Sequence, residues 1–146
     1  MKNAAILASA LALLAGCGKK PPTPQDELDR RFMSMMQSVT LVGHSTRLNS
    51  DKMFGEEHYV IDSVSKIGAE TWLLHARYQE NGHDLPLPVP VTIKWAGDTP
   101  VIELTDLSIP GAGTYTARVV LYNDQYAGTW SSKHGGGQVF GRIVHR

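Results

Sequence analysis

The chain predicts an all-β domain: about eight antiparallel strands in an up-and-down meander, closed into a small barrel whose full closure one proline-rich segment complicates, and preceded by one short helix. Three observations lead there. From Val39 onward apolar residues recur with a period of two, turn-forming residues interrupt them at fairly regular intervals, and a helical period is confined to one stretch before Val39. A two-sheet β-sandwich is the alternative arrangement of the same strands.

Met1-Lys2-Asn3 is a short positive start, and Ala4 to Leu14 is an uncharged apolar run. A membrane-spanning helix needs roughly 20 apolar residues, and this run stops at Gly16, ahead of Lys19 and Lys20. It reads as a signal peptide. Leu14-Ala15-Gly16 directly before Cys17 resembles the lipobox of bacterial lipoproteins, in which small residues fit the peptidase groove and the cysteine becomes the lipidated first residue. The resemblance implies cleavage between Gly16 and Cys17 and acyl chains, palmitate among them, on Cys17. The membrane is then a partner reached through that lipid, each buried acyl CH₂ contributing roughly 0.8 kcal/mol. Gly18 stands where inner-membrane lipoproteins carry aspartate, which implies the periplasmic face of the outer membrane if the host is diderm. Cys17 is the sole cysteine, so no intramolecular disulfide can form, and acylation removes a thiol that an oxidising envelope would attack.

The chain thus divides into a lipoprotein signal peptide (1–16), a lipidated tether (17–24) and one domain (25–146) of a size that supports a single core. Pro21-Pro22-Thr23-Pro24 makes the tether stiff and extended. Thr23 can cap a helix with Pro24 at its first position, and Asp26 and Glu27 suit its positive end. Leu28, Phe32, Met35 and Met36 recur at helical spacing, so a short amphipathic helix is predicted from about Pro24 to Gln37. Met33, Met35 and Met36 read first as helix packing and second as an adaptable contact surface.

Gly68, Asn81-Gly82, Ala96-Gly97-Asp98, Pro110 to Gly113, Asn123-Asp124 and Gly135 to Gly137 then separate stretches rich in β-branched and aromatic residues. Asn81-Gly82 is the best hairpin signal among them. The alternation is clearest in Trp72, Leu74, Ala76, Tyr78, in Val89, Val91, Ile93, Trp95, and in Tyr115, Ala117, Val119, Leu121, which form one apolar face. His75, Arg77, Thr92, Lys94, Thr116 and Arg118 take the wet face. Pro86, Pro88 and Pro90 share a parity, so their missing N–H groups face one neighbour. An edge, gap or bulge is predicted there, with regular pairing resuming near Val91, unless the segment is a loop leading into a strand at Val89. A transmembrane barrel fits poorly, because Arg77, Lys94 and Arg118 would face lipid.

The chain has 14 basic and 14 acidic residues, and loss of residues 1–16 removes only Lys2, leaving 13 against 14. That balance argues against nucleic acid as a partner. The six histidines, His44, His58, His75, His83, His134 and His145, show no metal-ligand spacing, so no metal and no cofactor is expected. In Glu56-Glu57-His58 adjacent strand residues would alternate faces, which sets Glu57 apart from the other two unless the segment is a solvated turn. Cys17 is consumed by lipidation, and His44-Ser45 and Ser131-Ser132 with His134 lack the strand-turn-helix setting of a nucleophile, so no catalytic residue is assigned. His75, Arg77, Lys94, Arg118 and Arg142 could form an outer cationic stripe for an acidic envelope polymer, although pairing with Asp62, Glu103 or Asp106 is the simpler expectation.

The C-terminal half, with Trp-Ala-Gly-Asp-Thr-Pro at 95–100, Gly113-Thr114-Tyr115 and the tail from Tyr126 to Ile143, resembles an uncharacterised family of small secreted bacterial β-proteins. Gly128-Thr129-Trp130 is loosely similar to the glycine-x-tryptophan strands of calycins, but lies near the C-terminus and not in the first strand. Gly128 and Gly141 leave room for another backbone or ring, and Trp130 fills such a space. The expected function is that of a membrane-anchored envelope lipoprotein, a non-enzymatic scaffold or interaction module whose partner is an envelope protein or polymer. The alternative is a calycin-type binder of a small hydrophobic ligand, with Trp72, Trp95, Tyr115 and Trp130 lining its cavity.

Overall fold

The change of period at Val39 is the change from helix to sheet. The computed structural model describes residues 21–80 and 83–146, so the lipobox-like stretch with Gly16 and Cys17, and the Asn81-Gly82 dipeptide, lie outside the described residues. Helix α1 (Gln25–Met36) is followed by β1 (Val39–Arg47), β2 (Ser50–Met53), β3 (Glu57–Lys66), β4 (Thr71–Glu80), β5 (His83–Ala96), β6 (Thr99–Ile109), β7 (Gly113–Tyr122), β8 (Gln125–Ser132) and β9 (Gly135–His145). Every neighbouring pair is antiparallel. Pairing of β1 with β9 closes β1 and β3 to β9 into an eight-stranded barrel, and β2 is an extra strand on the far end of β1.

The turns follow their residues. Asn123 (φ 48°) and Asp124 (φ 54°) are both left-handed and join Tyr122 to Gln125 across a two-residue hairpin, a backbone that asparagine and aspartate tolerate best after glycine. The β4–β5 hairpin closes on the pair Glu80 and His83. The helix starts one residue later than its composition suggests. Pro24 keeps the extended ψ of 144° that continues the proline run, and its carbonyl, with no side-chain cap, accepts the N–H groups of Glu27 and Leu28 at 3.1 Å.

The apolar strand faces point inward as their period requires. Trp72, Leu74, Val91, Ile93 and Leu121 are buried with Phe32, Met36, Val39 and Ile143. Leu28, Phe32 and Met36 are the buried side of α1, Met35 is partly buried against the same core, and Met33 stays exposed. The rings of Phe32 and Trp72 meet edge to face with centroids 4.9 Å apart. The helix therefore plugs one end of the barrel.

Two bulges shift the inward parity. In β3 the inward residues run Ile61 then Val64, and in β6 Leu104 then Leu107, each with two residues between them where a regular strand has one. The prolines also act as their parity demands. Residues 83–92 of β5 pair continuously with β4, whereas pairing with β6 is confined to Thr92–Ala96 against Thr99–Glu103. Pro86, Pro88 and Pro90 offer β6 no N–H, so the ring is closed but its β5–β6 seam is parted over the half of the barrel away from α1.

Candidate functional site: the open half of the barrel

The barrel has two unlike halves. The largest fully buried side chains, Trp72, Phe32, Met36, Ile93, Leu121 and Val39, all belong to the core plugged by α1. In the other half Glu57, Tyr59, Leu104, Leu107, Tyr115 and Trp130 also occupy inward register positions, yet each is only half-buried. Solvent reaches the interior there. The parted β5–β6 seam lies in this half, four strands in either direction from the β9–β1 junction, so it faces the wall built by β3, β1, β9 and β8.

That wall is polar. Ser45, the one buried polar residue among the described residues, donates its Oγ hydrogen to Glu57 Oε1 at 2.7 Å, and the Tyr59 hydroxyl donates to Glu57 Oε2 at 2.8 Å. Glu57 makes no ion pair among the described residues. Its in-register neighbours across the sheet are Gly43, Gly141 and Tyr126, in that order. A Cβ on Gly43 would stand 2.1 Å from the Phe140 carbonyl oxygen and 2.4 Å from the Tyr126 hydroxyl, and one on Gly141 would stand 2.2 Å from the Val42 carbonyl oxygen and 2.8 Å from Tyr126 Cε1. Only glycine at both positions lets β1 and β9 approach and the Tyr126 ring lie across them toward β3.

Trp130 repeats the arrangement two inward positions further along β8. Its Nε1 would be 3.1 Å from a Cβ on its partner Gly137. The expectation that Gly128 and Gly141 admit a backbone or a ring holds at both, since a Cβ on Gly128 would be 1.9 Å from the Arg118 carbonyl oxygen. The Tyr126 hydroxyl and Trp130 Nε1 are both enclosed without a hydrogen-bond partner. Burial, and then the negative charge of Glu57, pushes the Tyr126 hydroxyl up to about 12.

The four rings assigned to a cavity are not brought together. Trp72 is 1 % exposed beneath α1, and Trp95 packs against the same core. Tyr115 and Trp130 lie in the open half with centroids 6.3 Å apart. Of the residues on the polar wall, Ser45 and Glu57 entered the sequence reading only within His44-Ser45 and Glu56-Glu57-His58, Tyr126 only as the start of the C-terminal tail, and Tyr59 not at all. Glu57 was legible in principle, since it shares the parity of Tyr59 and Ile61, but the adjacent charges of Glu56 and His58 suggest a solvated turn. The structure separates them as alternation requires: Glu56 and His58 pair outside at 2.8 Å, with Glu56 held below its usual range by the His58 hydrogen bond, while Glu57 turns inward.

The other candidates dissolve into ordinary contacts. Ser45 points in and His44 points out, with its Nδ1 3.2 Å from the Phe54 carbonyl oxygen. Ser132 Oγ accepts the backbone N–H of His134, a turn contact that leaves the imidazole uninvolved. Among the described residues no group of three metal-ligating side chains converges, and no helix is long and apolar enough to cross a membrane. The cationic stripe is largely paired: Arg77 with Asp62 at 2.6 Å and Asp84 at 2.7 Å, Arg118 with Glu103 at 3.4 Å, and Lys94 with Glu70. Asp106, offered as a partner for the stripe, instead accepts from Thr116.

A second surface feature lies on the outside of β7, β8 and β9, where Val120, Tyr122, Ala127 and Phe140 wall a groove of about 320 Å³. Tyr122 is 62 % exposed and Val120 42 %, an unusual apolar content for a wet barrel face. Comparison with protein-family models, with curated proteins and with solved structures gave no match.

Proposed function

We propose that the chain is a cell-envelope lipoprotein, anchored through Cys17 and acting without catalysis as an interaction module for another envelope component. The observation that supports this is the order of its parts. A lipobox-like Leu14-Ala15-Gly16-Cys17 precedes a proline spacer that enters α1, and α1 plugs one end of the barrel. Eight residues, Cys17 to Pro24, can reach no further than roughly 29 Å in any conformation, which keeps that plugged end near the bilayer surface. The opposite mouth and the outer groove are then presented to the envelope space.

The anchor is tested by fractionation and mass spectrometry. Wild-type chain should sediment with membranes and carry acyl mass on Cys17, and Cys17→Ser should be released or misprocessed with its β-domain folded. Wild-type chain without acyl mass overturns the reading. The interaction role is tested with a photo-crosslinking residue at Tyr122 or Phe140 in native membranes: a discrete adduct is expected there and not from the same residue at Ala69, whereas recovery of uncrosslinked protein alone from all three positions counts against it.

A second reading, a binder of a small molecule, is favoured by the half-buried interior away from α1 and by the two enclosed donors on its polar wall. In this reading the lining comes from Tyr115 and Trp130 together with Glu57, Tyr59 and Tyr126, and Trp72 and Trp95 serve the core.

A further inference from the structure

We infer that the open half of the barrel binds a small organic cation that also carries a hydrogen-bond-accepting oxygen. The inference rests on the small-molecule reading and gives it a chemical class.

The first ground is an uncompensated charge. Glu57 projects into the barrel at the inward register position beside Gly43, and among the described residues it meets two hydroxyl donors, Ser45 and Tyr59, and no cation. Four surface carboxylates of this chain, Glu27, Asp62, Glu70 and Glu103, each have an arginine or lysine partner instead. A carboxylate drawn partly out of water retains a strong demand for positive charge, because two hydroxyl hydrogen bonds leave its net charge intact. Each of its oxygens accepts one of those bonds and keeps acceptor capacity for a ligand.

The second ground is aromatic. Tyr59, Tyr115 and Trp130 occupy inward positions of this half with Glu57, and the Tyr115 and Trp130 rings are tilted at 48° to each other and not stacked. Ring faces beside a carboxylate suit an organic ammonium, which is attracted by the quadrupole of each ring and tolerates desolvation better than a metal ion.

The third ground is the pair of enclosed donors. Tyr126 is 4 % exposed, and its hydroxyl and the Trp130 indole N–H have no acceptor. Buried donors in native proteins are normally paired, so the Trp130 N–H, beside the Tyr115 ring in the half-buried part of the barrel, specifies an acceptor oxygen on the ligand. The β5–β6 seam opposite that wall is not closed by backbone pairing over residues 83–91, and the barrel mouth lies on the same side of the molecule.

The probes are choline, which has both features, and 3,3-dimethylbutan-1-ol, its uncharged equivalent of the same shape. The indole N–H resonances of the full-length chain in a maltoside detergent provide the reading, with Trp72 and Trp95 in the plugged half as internal controls of fold. Choline should shift the Trp130 signal with a dissociation constant on the order of 1 mM or below, leaving Trp72 and Trp95 in place. The uncharged alcohol should bind at least roughly tenfold more weakly, and Glu57→Gln should remove that preference. Trp130→Phe, which keeps a ring and loses the donor, should weaken choline binding when followed by calorimetry. Equal binding of alcohol and choline overturns the cationic assignment and leaves a small-molecule site; no shift with either up to about 20 mM, with Trp72 and Trp95 in their native positions, overturns both.

Discussion

Tyr126 and Glu57 face one another inside the barrel across two glycines. The register runs Tyr126, Gly141, Gly43, Glu57 over β8, β9, β1 and β3, and the side chains at its two ends occupy the space that the middle positions vacate. The same row holds the junction at which the first and last barrel strands meet, so closure of the ring and construction of the polar wall depend on the same residues.

Gly43→Ala and Gly141→Ala should each destabilise the domain by about 3 kcal/mol in urea unfolding, because the nearest atoms in the way are backbone carbonyl oxygens, which cannot rotate aside, with the Tyr126 ring behind them. A loss below about 0.5 kcal/mol in both would mean that β1 and β9 do not approach as described.

Tyr126→Phe should be neutral or stabilising by up to about 1 kcal/mol, since it removes a buried hydroxyl that makes no hydrogen bond while keeping the ring. In ultraviolet titration the Tyr126 hydroxyl should ionise near 12 in the wild type and lower in Glu57→Gln, where burial persists and the neighbouring charge is gone. Its folded value lies above its unfolded value near 10, so the corresponding stability is complete below pH 10 and lost as the pH climbs through 12.

Phe32→Ala should cost roughly 3–5 kcal/mol and redden tryptophan emission, because Trp72 loses the ring that seals it from water. Met33→Ala, on the exposed side of the same helix, should change stability by no more than about 0.5 kcal/mol. Equal effects of the two would refute the plug.

Asp62 predicts an acid transition. Hydrogen bonds from Arg77 and then from Arg146 hold its carboxyl at about 2, below its ordinary 3.8, so the unfolded chain binds more protons in that interval. The stability it contributes is present above pH 3.8 and is lost as the pH falls toward 2. Melting temperatures measured between pH 5 and 2 should fall less steeply for Asp62→Asn than for wild type; parallel curves would contradict the assignment.

Much of the architecture was legible along the chain because it is local. Period-two patterning placed Trp72, Ile93 and Leu121 inward, Leu28, Phe32 and Met36 put one side of a helix on the core, and Asn123-Asp124 specified its hairpin by backbone preference alone. The prolines at 86, 88 and 90 predicted an edge, gap or bulge on one side of their segment, since a missing N–H is a property of the residue, but the loop alternative fell only to the continuous pairing of β5 with β4.

The candidate site was less legible, for a physical reason. Bulges at Asp62-Ser63 and Thr105-Asp106 change which residues face inward, and a bulge is revealed by what pairs opposite it. Glu57 and Tyr126 are 69 positions apart and become neighbours only when β1 pairs with β9, a contact between the two ends of the folded domain. Sequence by itself determined most of the strands, the short amphipathic helix before them, an interruption at the prolines and the lipobox-like start. The tertiary structure alone decided that two glycine gaps would line up between a tyrosine and a carboxylate, because register across a closed ring is set by all of its strands together.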